Sequence, residues 1–275
     1  MSSQTHNLDL ATTCVGIIGV GNMGEALLAG LLQAGTPSGN ICFSEKRDDR
    51  AQEISTKYGA TRKSNVEIAK DCQVILLVTK PQDLEALLIE ISPALASQTL
   101  LVSFAAGKTT TFIEKTVKNE VAVVRVMPNT PALIGKGAAG VSAGSHSSAA
   151  HLAFVQDFLS ASGEVVVVPE NLQDAVTALS GSGPAYFFAF VEAMVAAGKS
   201  VGLSEEVATQ LTVQTIYGAA GMLKESGKSA TTLRENVTSP NGTTAAALAS
   251  FRADGLENLV LKAMTAARDR SQELA

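Results

Sequence analysis

The chain has 275 residues, of which 46% are hydrophobic and 17% are charged, and its formal net charge is −5. This length and hydrophobic content predict two globular domains and exclude a disordered chain. The acidic balance excludes the basic face that nucleic acid requires, so we expect no nucleic-acid partner.

Short apolar runs alternate with amphipathic stretches over residues 14–168. This pattern is typical of strands joined by crossover helices in a parallel sheet, and runs of Val, Ile and Leu suit a sheet buried on both faces. We therefore predict an α/β fold with an N-terminal, Rossmann-like, doubly wound domain. The predicted strands are 14–20, 41–44, 74–79, 100–104, 121–126, 140–143 and 165–168, and the predicted helices are 23–33, 48–58, 65–70 and 83–95.

Three glycines, Gly19, Gly21 and Gly24, form a GxGxxG turn between the first strand and the first helix. In a dinucleotide-binding turn the first glycine permits the tight bend, the second lets the backbone approach a pyrophosphate, and the third packs the helix against the strand. The N-terminus of the helix attracts the anion. This context predicts a dinucleotide site.

The second predicted strand ends at Ser44 and is followed by Glu45, Lys46 and Arg47. Dinucleotide-binding folds contact the cofactor ribose at this point. Glu45 would accept hydrogen bonds from a free 2′-hydroxyl and favour NADH. Ser44, Lys46 and Arg47 would hold a 2′-phosphate and favour NADPH. A third reading, in which residues 46–49 are only a solvated helix start, stays open.

Two further turns follow predicted strands, one at Thr79, Lys80 and Pro81 and one at Ala105, Ala106 and Gly107. Open α/β sheets bind ligands at the carboxyl ends of their strands, so both turns are candidates for cofactor contact. Spacing alone leaves Lys80 equally open to a role as a surface lysine beside a helix.

After Pro169 the strand pattern stops and helical periodicity begins. We place a dinucleotide-binding domain at 1–169 and an all-α dimerisation and substrate domain at 170–275. Residues 184–201 are apolar nearly all round, which predicts burial against a second subunit in a homodimer. The most apolar part, residues 184–198, is interrupted by Glu192 and is too short to cross a membrane, so we expect no membrane partner.

The three cysteines, Cys14, Cys42 and Cys72, each lie in or beside an apolar run. Their odd number and wide spacing, without a CxxC or Cys/His cluster, predict buried free thiols and no metal site. Reduced thiols and the lack of an apparent secretory signal favour a cytoplasmic protein.

Six segments together resemble the pyrroline-5-carboxylate reductase family, in one order and over nearly the whole chain from about Val15. They are GVGNMG at 19–24, TKPQ at 79–82, AAG at 105–107, RVMPNTPA at 125–132, LSGSGPAY at 179–186 and TSPNGTT at 238–244. The resemblance implies a Rossmann domain, a helical domain that interlocks into a dimer, and often a decamer of such dimers. It also implies reduction of the cyclic imine 1-pyrroline-5-carboxylate to L-proline by NADPH or NADH, the last step of proline biosynthesis.

The resemblance also implies site residues. Cofactor contacts are expected from Ile18, Gly19, Val20, Gly21, Asn22, Met23, Ser44, Asn65, Val78, Thr79, Lys80, Pro81, Ala105, Ala106 and Gly107. The residue patterns described above add Gly24 of the glycine-rich turn, and Lys46 and Arg47 as contacts to a 2′-phosphate. Substrate contacts are expected from Ser239, Asn241, Gly242, Thr243 and Thr244.

The turn at 238–244 leads into an Ala-rich helix, whose first N–H groups can receive the substrate carboxylate. We assign the Thr244 hydroxyl to the ring nitrogen, as the catalytic contact. The bland alternative is helix capping by Ser239, Asn241 or Thr243. The family usually has two glycines where this chain has Asn241 and Gly242, and asparagine is among the few residues that tolerate a left-handed backbone.

The carbon of a protonated cyclic imine is already electrophilic. Hydride transfer to it therefore depends more on the orientation of imine and cofactor than on a strong acid. We therefore assign no catalytic role to His6, His146 or His151. A β-hydroxyacid dehydrogenase would share the first turn but needs a lysine at the position that Phe187 occupies. A non-catalytic cofactor sensor would not need the second anion site at 239–244.

Overall fold

The computed structural model describes residues 8–117 and 120–274, so His6 lies outside the described residues. The strands are β1 (Val15–Ile18), β2 (Ile41–Ser44), β3 (Thr61–Arg62), β4 (Val74–Leu77), β5 (Leu100–Ser103), β6 (Ala122–Met127), β7 (Gly137–Ala143) and β8 (Gly163–Val167). The helices are α1 (Asn22–Gln33), α2 (Asp48–Tyr58), α3 (Asn65–Asp71), α4 (Leu84–Ile91), α5 (Thr110–Val117), α6 (Ala149–Ser160), α7 (Gln173–Val176), α8 (Gly183–Ser200), α9 (Glu205–Glu225), α10 (Ala230–Asn236), α11 (Thr243–Ala253) and α12 (Leu256–Glu273).

The strands form one sheet in the order β3-β2-β1-β4-β5-β6-β7-β8. The first six follow the Rossmann order, which reverses direction between β1 and β4 and so opens a crevice at their carboxyl ends. The predicted α/β, doubly wound fold is confirmed. One pair, β6 with β7, is antiparallel and departs from the parallel pairing that the sequence pattern predicts.

The antiparallel pair has a simple cause in the chain. Only residues 128–136 connect β6 to β7, and a short 3₁₀ turn, Thr130–Ile134, occupies most of them. A parallel return needs a crossover of a dozen or more residues. The short connection therefore brings β7 back alongside β6 in the opposite direction.

Two apolar cores cover the two faces of the sheet. Alternate residues of β4 show this division: Val74 and Leu76 pack into one core, and Ile75 and Leu77 pack into the other. The first core contains buried residues of α1, α2 and α6, and the second contains those of α3, α4 and α5. Helices on both faces explain why the strands are almost continuously apolar.

The described chain consists of two compact units, each with more contacts within itself than with the other. The first unit runs up to Ser182 and includes the C-terminal segment from Ala267, and the second unit is Gly183–Ala266. The segment after Pro169 packs on the sheet, where the Gln173 amide donates to Ser142 Oγ at 2.8 Å. The boundary between residues 169 and 170 stays a prediction.

The first unit also contains a buried arginine that joins distant parts of the chain. Arg125 on β6 is 3% exposed, and its guanidinium lies 3.6 Å from Glu170 and 3.7 Å from Asp174. Asp174 in turn accepts a hydrogen bond from Ser271 Oγ at 2.8 Å. This network fastens α7 and the C-terminal end of α12 to the sheet.

The second unit consists of helices α8 to α11 and most of α12, as the loss of strand pattern predicts. Within α8 only Gly183 is buried by this single chain. Large apolar side chains are exposed across the unit, including Phe187 (62%), Tyr217 (72%) and Leu259 (65%). Many large apolar side chains exposed together on a protein surface mark an interaction site. No helix in the described part of the chain is long and apolar enough to cross a membrane.

Candidate functional site

The glycine-rich turn after β1 has the geometry that a dinucleotide requires. Gly19 adopts φ +98°, and a Cβ there would lie 2.6 Å from the Val78 carbonyl oxygen. A Cβ on Gly24 would collide with the Gly19 carbonyl. A Cβ on Gly21 would meet nothing within 4 Å. Gly19 and Gly24 are therefore fixed by packing, whereas Gly21 leaves open space beside the start of α1.

The N-terminus of α1 lacks a side-chain cap. Gly21 is the N-cap residue, and no side chain accepts a hydrogen bond from the first turn. Gly21 and Asn22 are exposed and Met23 is half-buried. Uncapped N–H groups at a helix start carry a partial positive charge and bind anions such as a pyrophosphate.

One acidic residue, Glu25, lies in this first turn, but basic groups compensate its charge. Lys57 Nζ and Tyr58 Oη each donate to Glu25 Oε1 at 2.8 Å, and Arg50 Nη2 pairs with Oε2. Hydrogen bonds from Lys57, and then from Arg50 and Tyr58, lower the pKa of Glu25 to about 2 against the opposing effect of burial. The carboxylate therefore stays ionised and paired at neutral pH.

A cavity of about 460 Å³ opens at the carboxyl ends of β1, β2 and β4, where the strand order reverses. Eight predicted cofactor residues line it: Ile18, Gly19, Ser44, Lys46, Asn65, Val78, Thr79 and Lys80. Glu45, the predicted partner of a free 2′-hydroxyl, also lines it. The sequence did not predict the other five lining residues, which lead into and through α4: Gln82, Asp83, Ala86, Leu87 and Glu90. The helical pattern of α4 marks its buried face but gives no sign that the exposed face borders a cavity.

Two buried polar atoms of cavity-lining residues lack a hydrogen-bond partner. They are Thr79 Oγ1 and Asn65 Oδ1. The Asn65 amide nitrogen is held by the Glu90 carboxylate at 3.1 Å, which fixes the side chain. Buried polar atoms are normally satisfied, so unpaired ones in a cavity indicate a polar ligand. The residues present fit a dinucleotide.

The loop after β2 is organised by Glu45. Its Oε1 accepts a hydrogen bond from the Arg47 backbone N–H at 3.0 Å, and its carbonyl oxygen accepts from Arg62 Nη2 at 2.8 Å. Lys46 and Arg47 are exposed. The Glu45 carboxylate thus shapes the loop as well as bordering the cavity.

A second cavity, of about 360 Å³, adjoins this loop and is lined by Ser44, Glu45, Arg62, Lys63, Ser64 and Glu67. Arg62, Lys63 and Ser64 were missed from the sequence, because β3 is only two residues long and both are exposed. The two cations, Arg62 and Lys63, and the hydroxyls of Ser44 and Ser64 suit a phosphate group.

Other predicted cofactor residues do not line the first cavity: Val20, Gly21, Asn22, Met23, Gly24, Arg47, Pro81, Ala105, Ala106 and Gly107. The turn at 105–107 follows β5, which pairs in parallel with β4, so it lies at the same edge of the sheet. Gly107 adopts φ +74°, which its lack of a side chain permits. Pro81 begins the 3₁₀ turn that leads into α4.

The predicted substrate turn lies in the second unit. Asn241 adopts φ +60° and is the single non-glycine residue with positive φ in the described chain. The Gly242 N–H donates to the Ser239 carbonyl at 3.1 Å, and Gly242 is the N-cap of α11. Asn241 thus adopts the left-handed backbone conformation that the sequence suggests it can tolerate. Thr243 and Thr244 form the first turn of the helix.

The start of α11 also lacks a side-chain cap. In the same unit, Ser204 caps α9 and Ser229 caps α10 through their hydroxyls. The side chains of Ser239, Asn241 and Thr243 therefore do not cap α11, contrary to the alternative of helix capping. N–H groups of this turn have no intrahelical partner and suit a carboxylate.

His151, to which we assign no catalytic role, has a structural function. The His151 N–H donates to Ser148 Oγ and the Ser148 N–H donates to His151 Nδ1 at 3.1 Å, which caps α6. Burial lowers the pKa of His151, so the neutral ring that this cap needs is favoured. Neither cavity is lined by His146 or His151.

Family models match both parts of the chain. Residues 14–107 match a model described as NADP oxidoreductase, coenzyme F420-dependent, and residues 170–274 match one described as pyrroline-5-carboxylate reductase dimerisation. The second match and the exposed apolar surface of the helical unit support a homo-oligomer.

Complete relatives are similar over nearly their whole length. The pyrroline-5-carboxylate reductase of Pseudomonas aeruginosa is 43% identical over 268 residues, covering 97% of this chain and 98% of that one. The solved reductase of Coxiella burnetii superimposes with a TM-score of 0.90 at 35% identity, covering 96% of this chain and 99% of that one. The Plasmodium falciparum reductase, solved with NADP bound, gives 0.85 at 31% identity, covering 97% and 99%. The chain belongs to the pyrroline-5-carboxylate reductase family.

Proposed function

We propose that the chain reduces 1-pyrroline-5-carboxylate to L-proline with NADPH, the last step of proline biosynthesis. The near full-length similarity to pyrroline-5-carboxylate reductases is the observation that carries this proposal. The cavity at the reversal of strand order and the uncapped start of α11 agree with it, since the reaction needs one site for a dinucleotide and one for a small carboxylate.

The first unit supplies the cofactor contacts in this proposal. N–H groups at Gly21, Asn22 and Met23 hold the pyrophosphate, and the open space at Gly21 lets it approach. Asn65 and Thr79 offer their unpaired oxygens to the cofactor. The remaining proposed contacts are Ile18, Gly19, Val20, Gly24, Ser44, Lys46, Arg47, Val78, Lys80, Pro81, Ala105, Ala106 and Gly107.

Selection of NADPH over NADH rests on the charges around Ser44. Arg62 and Lys63 line the cavity beside Ser44, and Lys46 lines the larger one. These cations attract the 2′-phosphate, while the Glu45 carboxylate repels it. We propose NADPH as the preferred cofactor, with NADH accepted more weakly.

Substrate contacts come from Ser239, Asn241, Gly242, Thr243 and Thr244. The first N–H groups of α11 receive the substrate carboxylate, and the Thr244 hydroxyl accepts a hydrogen bond from the protonated ring nitrogen. This contact orients the ring and stabilises the cationic, electrophilic form of the imine. When bound, NADPH supplies the hydride that reduces the C=N carbon.

The exposed apolar surface of the second unit supports a homodimer, which would bury α8 between subunits. Assembly of such dimers into a decamer is a further proposal. Sedimentation at micromolar concentration tests both, and a monomer would contradict them. Three free thiols support a cytoplasmic location.

The test is NADPH oxidation with 1-pyrroline-5-carboxylate as substrate and proline measured as product. We expect one NADPH to be oxidised for each imine consumed and each proline formed. Activity on a 3-hydroxy acid without activity on the imine would instead identify a hydroxyacid dehydrogenase. NADPH binding without turnover of either compound would identify a sensor.

A further inference from the structure

The three cysteines of the chain meet in the first unit, although they are far apart in sequence. Cys14 precedes β1, Cys42 lies on β2, and Cys72 lies between α3 and β4. Their Sγ atoms are all within 4.8 Å of one another, and those of Cys14 and Cys72 are 3.5 Å apart. Their wide spacing in the sequence gives no sign of this cluster.

The strand order explains this convergence. β1 lies between β2 and β4, and Gly16 pairs with Cys42 while Val15 pairs with Val74. Segments that pass Cys14, Cys42 and Cys72 are thus neighbours in the sheet. All three side chains contribute to the core on the face that α3 and α4 cover.

The triangle of sulfur atoms has the dimensions of a metal site. With metal–sulfur bonds of about 2.3 Å, three sulfurs around one ion in a plane lie about 4 Å apart. The observed separations of 3.5 Å and at most 4.8 Å lie around this value. All three thiols are free, and a disulfide would use two of them and leave the third unexplained.

Packing and access bear on the cluster as well. Gly16 lies beside it, where a Cβ would collide with Ile68 Cγ2 and come 3.1 Å from Cys72 Sγ, so only glycine lets Ile68 and Cys72 pack this closely against β1. Cys42 and Cys72 are 4% and 3% exposed, whereas Cys14 is only half-buried and offers a route from solvent.

The number of donors indicates which ion fits. Among the described residues, no histidine or carboxylate joins the three thiols as a fourth ligand. Structural zinc sites normally have four protein ligands. Soft thiolates also select Cu(I), which accepts three-coordination. The Lys63 ammonium acts electrostatically on this cluster and offsets part of the thiolate charge.

We propose that Cys14, Cys42 and Cys72 form a binding site for Cu(I), held by three thiolates. Binding releases the thiol protons to solvent and changes no oxidation state. A bound ion would join the segments at β1, β2 and β4. Because only the folded chain brings the three thiols together, the ion should also raise the melting temperature of the protein.

The test uses the full chain, reduced and metal-free, under anaerobic conditions. Cu(I) is added as its coloured bicinchoninate complex, and we expect the protein to withdraw one equivalent. X-ray absorption at the copper edge should then show three sulfur neighbours. This measurement needs no variant and is independent of folding defects.

Substitutions assign the ligands. Cys14→Ser, Cys42→Ser and Cys72→Ser should each weaken Cu(I) binding at least about tenfold, while Ile68→Val, which changes the neighbouring packing without removing a sulfur, should not. NADPH binding by each variant shows that it is folded. Failure to withdraw Cu(I), two sulfur neighbours, or unchanged affinity in Cys42→Ser would overturn the proposal.

Discussion

Glu25 and Arg50 form an ion pair at the phosphate-binding turn: Arg50 Nη2 contacts the Glu25 carboxylate, and Arg50 Nε donates to the Val20 carbonyl oxygen at 3.1 Å. Val20 belongs to the turn and Glu25 to the first turn of α1. One guanidinium thus neutralises an acid near the proposed pyrophosphate site and anchors the backbone of the turn.

This relationship predicts a pH-dependent contribution to stability. Glu25→Gln should lower the free energy of unfolding by about 1–2 kcal/mol at pH 7, because charge-assisted hydrogen bonds are lost. The folded-state pKa of Glu25 is lowered to about 2 from 4.5, so its stabilisation is complete above pH 4.5 and is lost as the pH falls towards 2. Urea unfolding from pH 7 to pH 3 measures it. A difference between variant and parent that grows below pH 4.5 would contradict this account.

Two glycines of the turn, Gly21 and Gly24, should respond differently to substitution by alanine. Gly21→Ala has space for its Cβ, so it should fold normally but raise the Kd for NADPH at least about tenfold by obstructing the pyrophosphate. Gly24→Ala should lower stability by about 1–3 kcal/mol through its collision with Gly19. Gly39→Ala, also in open space but outside the phosphate-binding turn, is the control. Calorimetric titration and thermal unfolding separate the effects. Unchanged NADPH affinity in Gly21→Ala would contradict the pyrophosphate assignment.

Thr244 should contribute to turnover rather than to folding. Removing its hydroxyl in Thr244→Ala should lower kcat by about 10- to 100-fold, which corresponds to one hydrogen bond to a charged group. Thr244→Ser keeps the hydroxyl and should recover most of the activity. Steady-state kinetics with the imine measures both variants, and circular dichroism checks their fold. Equal kcat values in the alanine variant and the parent would remove Thr244 from the mechanism.

Glu45 should set the balance between the two cofactors. Glu45→Gln keeps an acceptor for the Arg47 N–H but removes the charge, so the KM for NADPH should fall about two- to tenfold. The KM for NADH is the internal control, since NADH lacks the 2′-phosphate and should bind no better. An improvement for NADH alone would show that Glu45 does not face the phosphate.

The sequence predicts the parts of this protein that depend on local patterns. Buried parallel strands appear as apolar runs, and the phosphate-binding turn appears as a glycine spacing, because each is determined by neighbouring residues. Asn241 is recognisable for the same reason, since few side chains tolerate φ near +60°.

Features that depend on packing between distant segments could not be predicted. The strand β3 is two exposed residues without an apolar run, so the cations at Arg62 and Lys63 had no visible connection to Ser44. Helices α5 and α6 were not assigned either, although each buries an apolar face. The meeting of the cysteine thiols arises only from the order of β2, β1 and β4 in the sheet.

Isotope transfer tests the central claim most directly. NADPH with both hydrogens of the reactive nicotinamide carbon replaced by deuterium is incubated with the enzyme and 1-pyrroline-5-carboxylate, and the proline is analysed by mass spectrometry and NMR. We expect one deuterium per proline, on the ring carbon that was doubly bonded to nitrogen. Proline without deuterium, or no proline at all, would contradict direct hydride transfer to the imine.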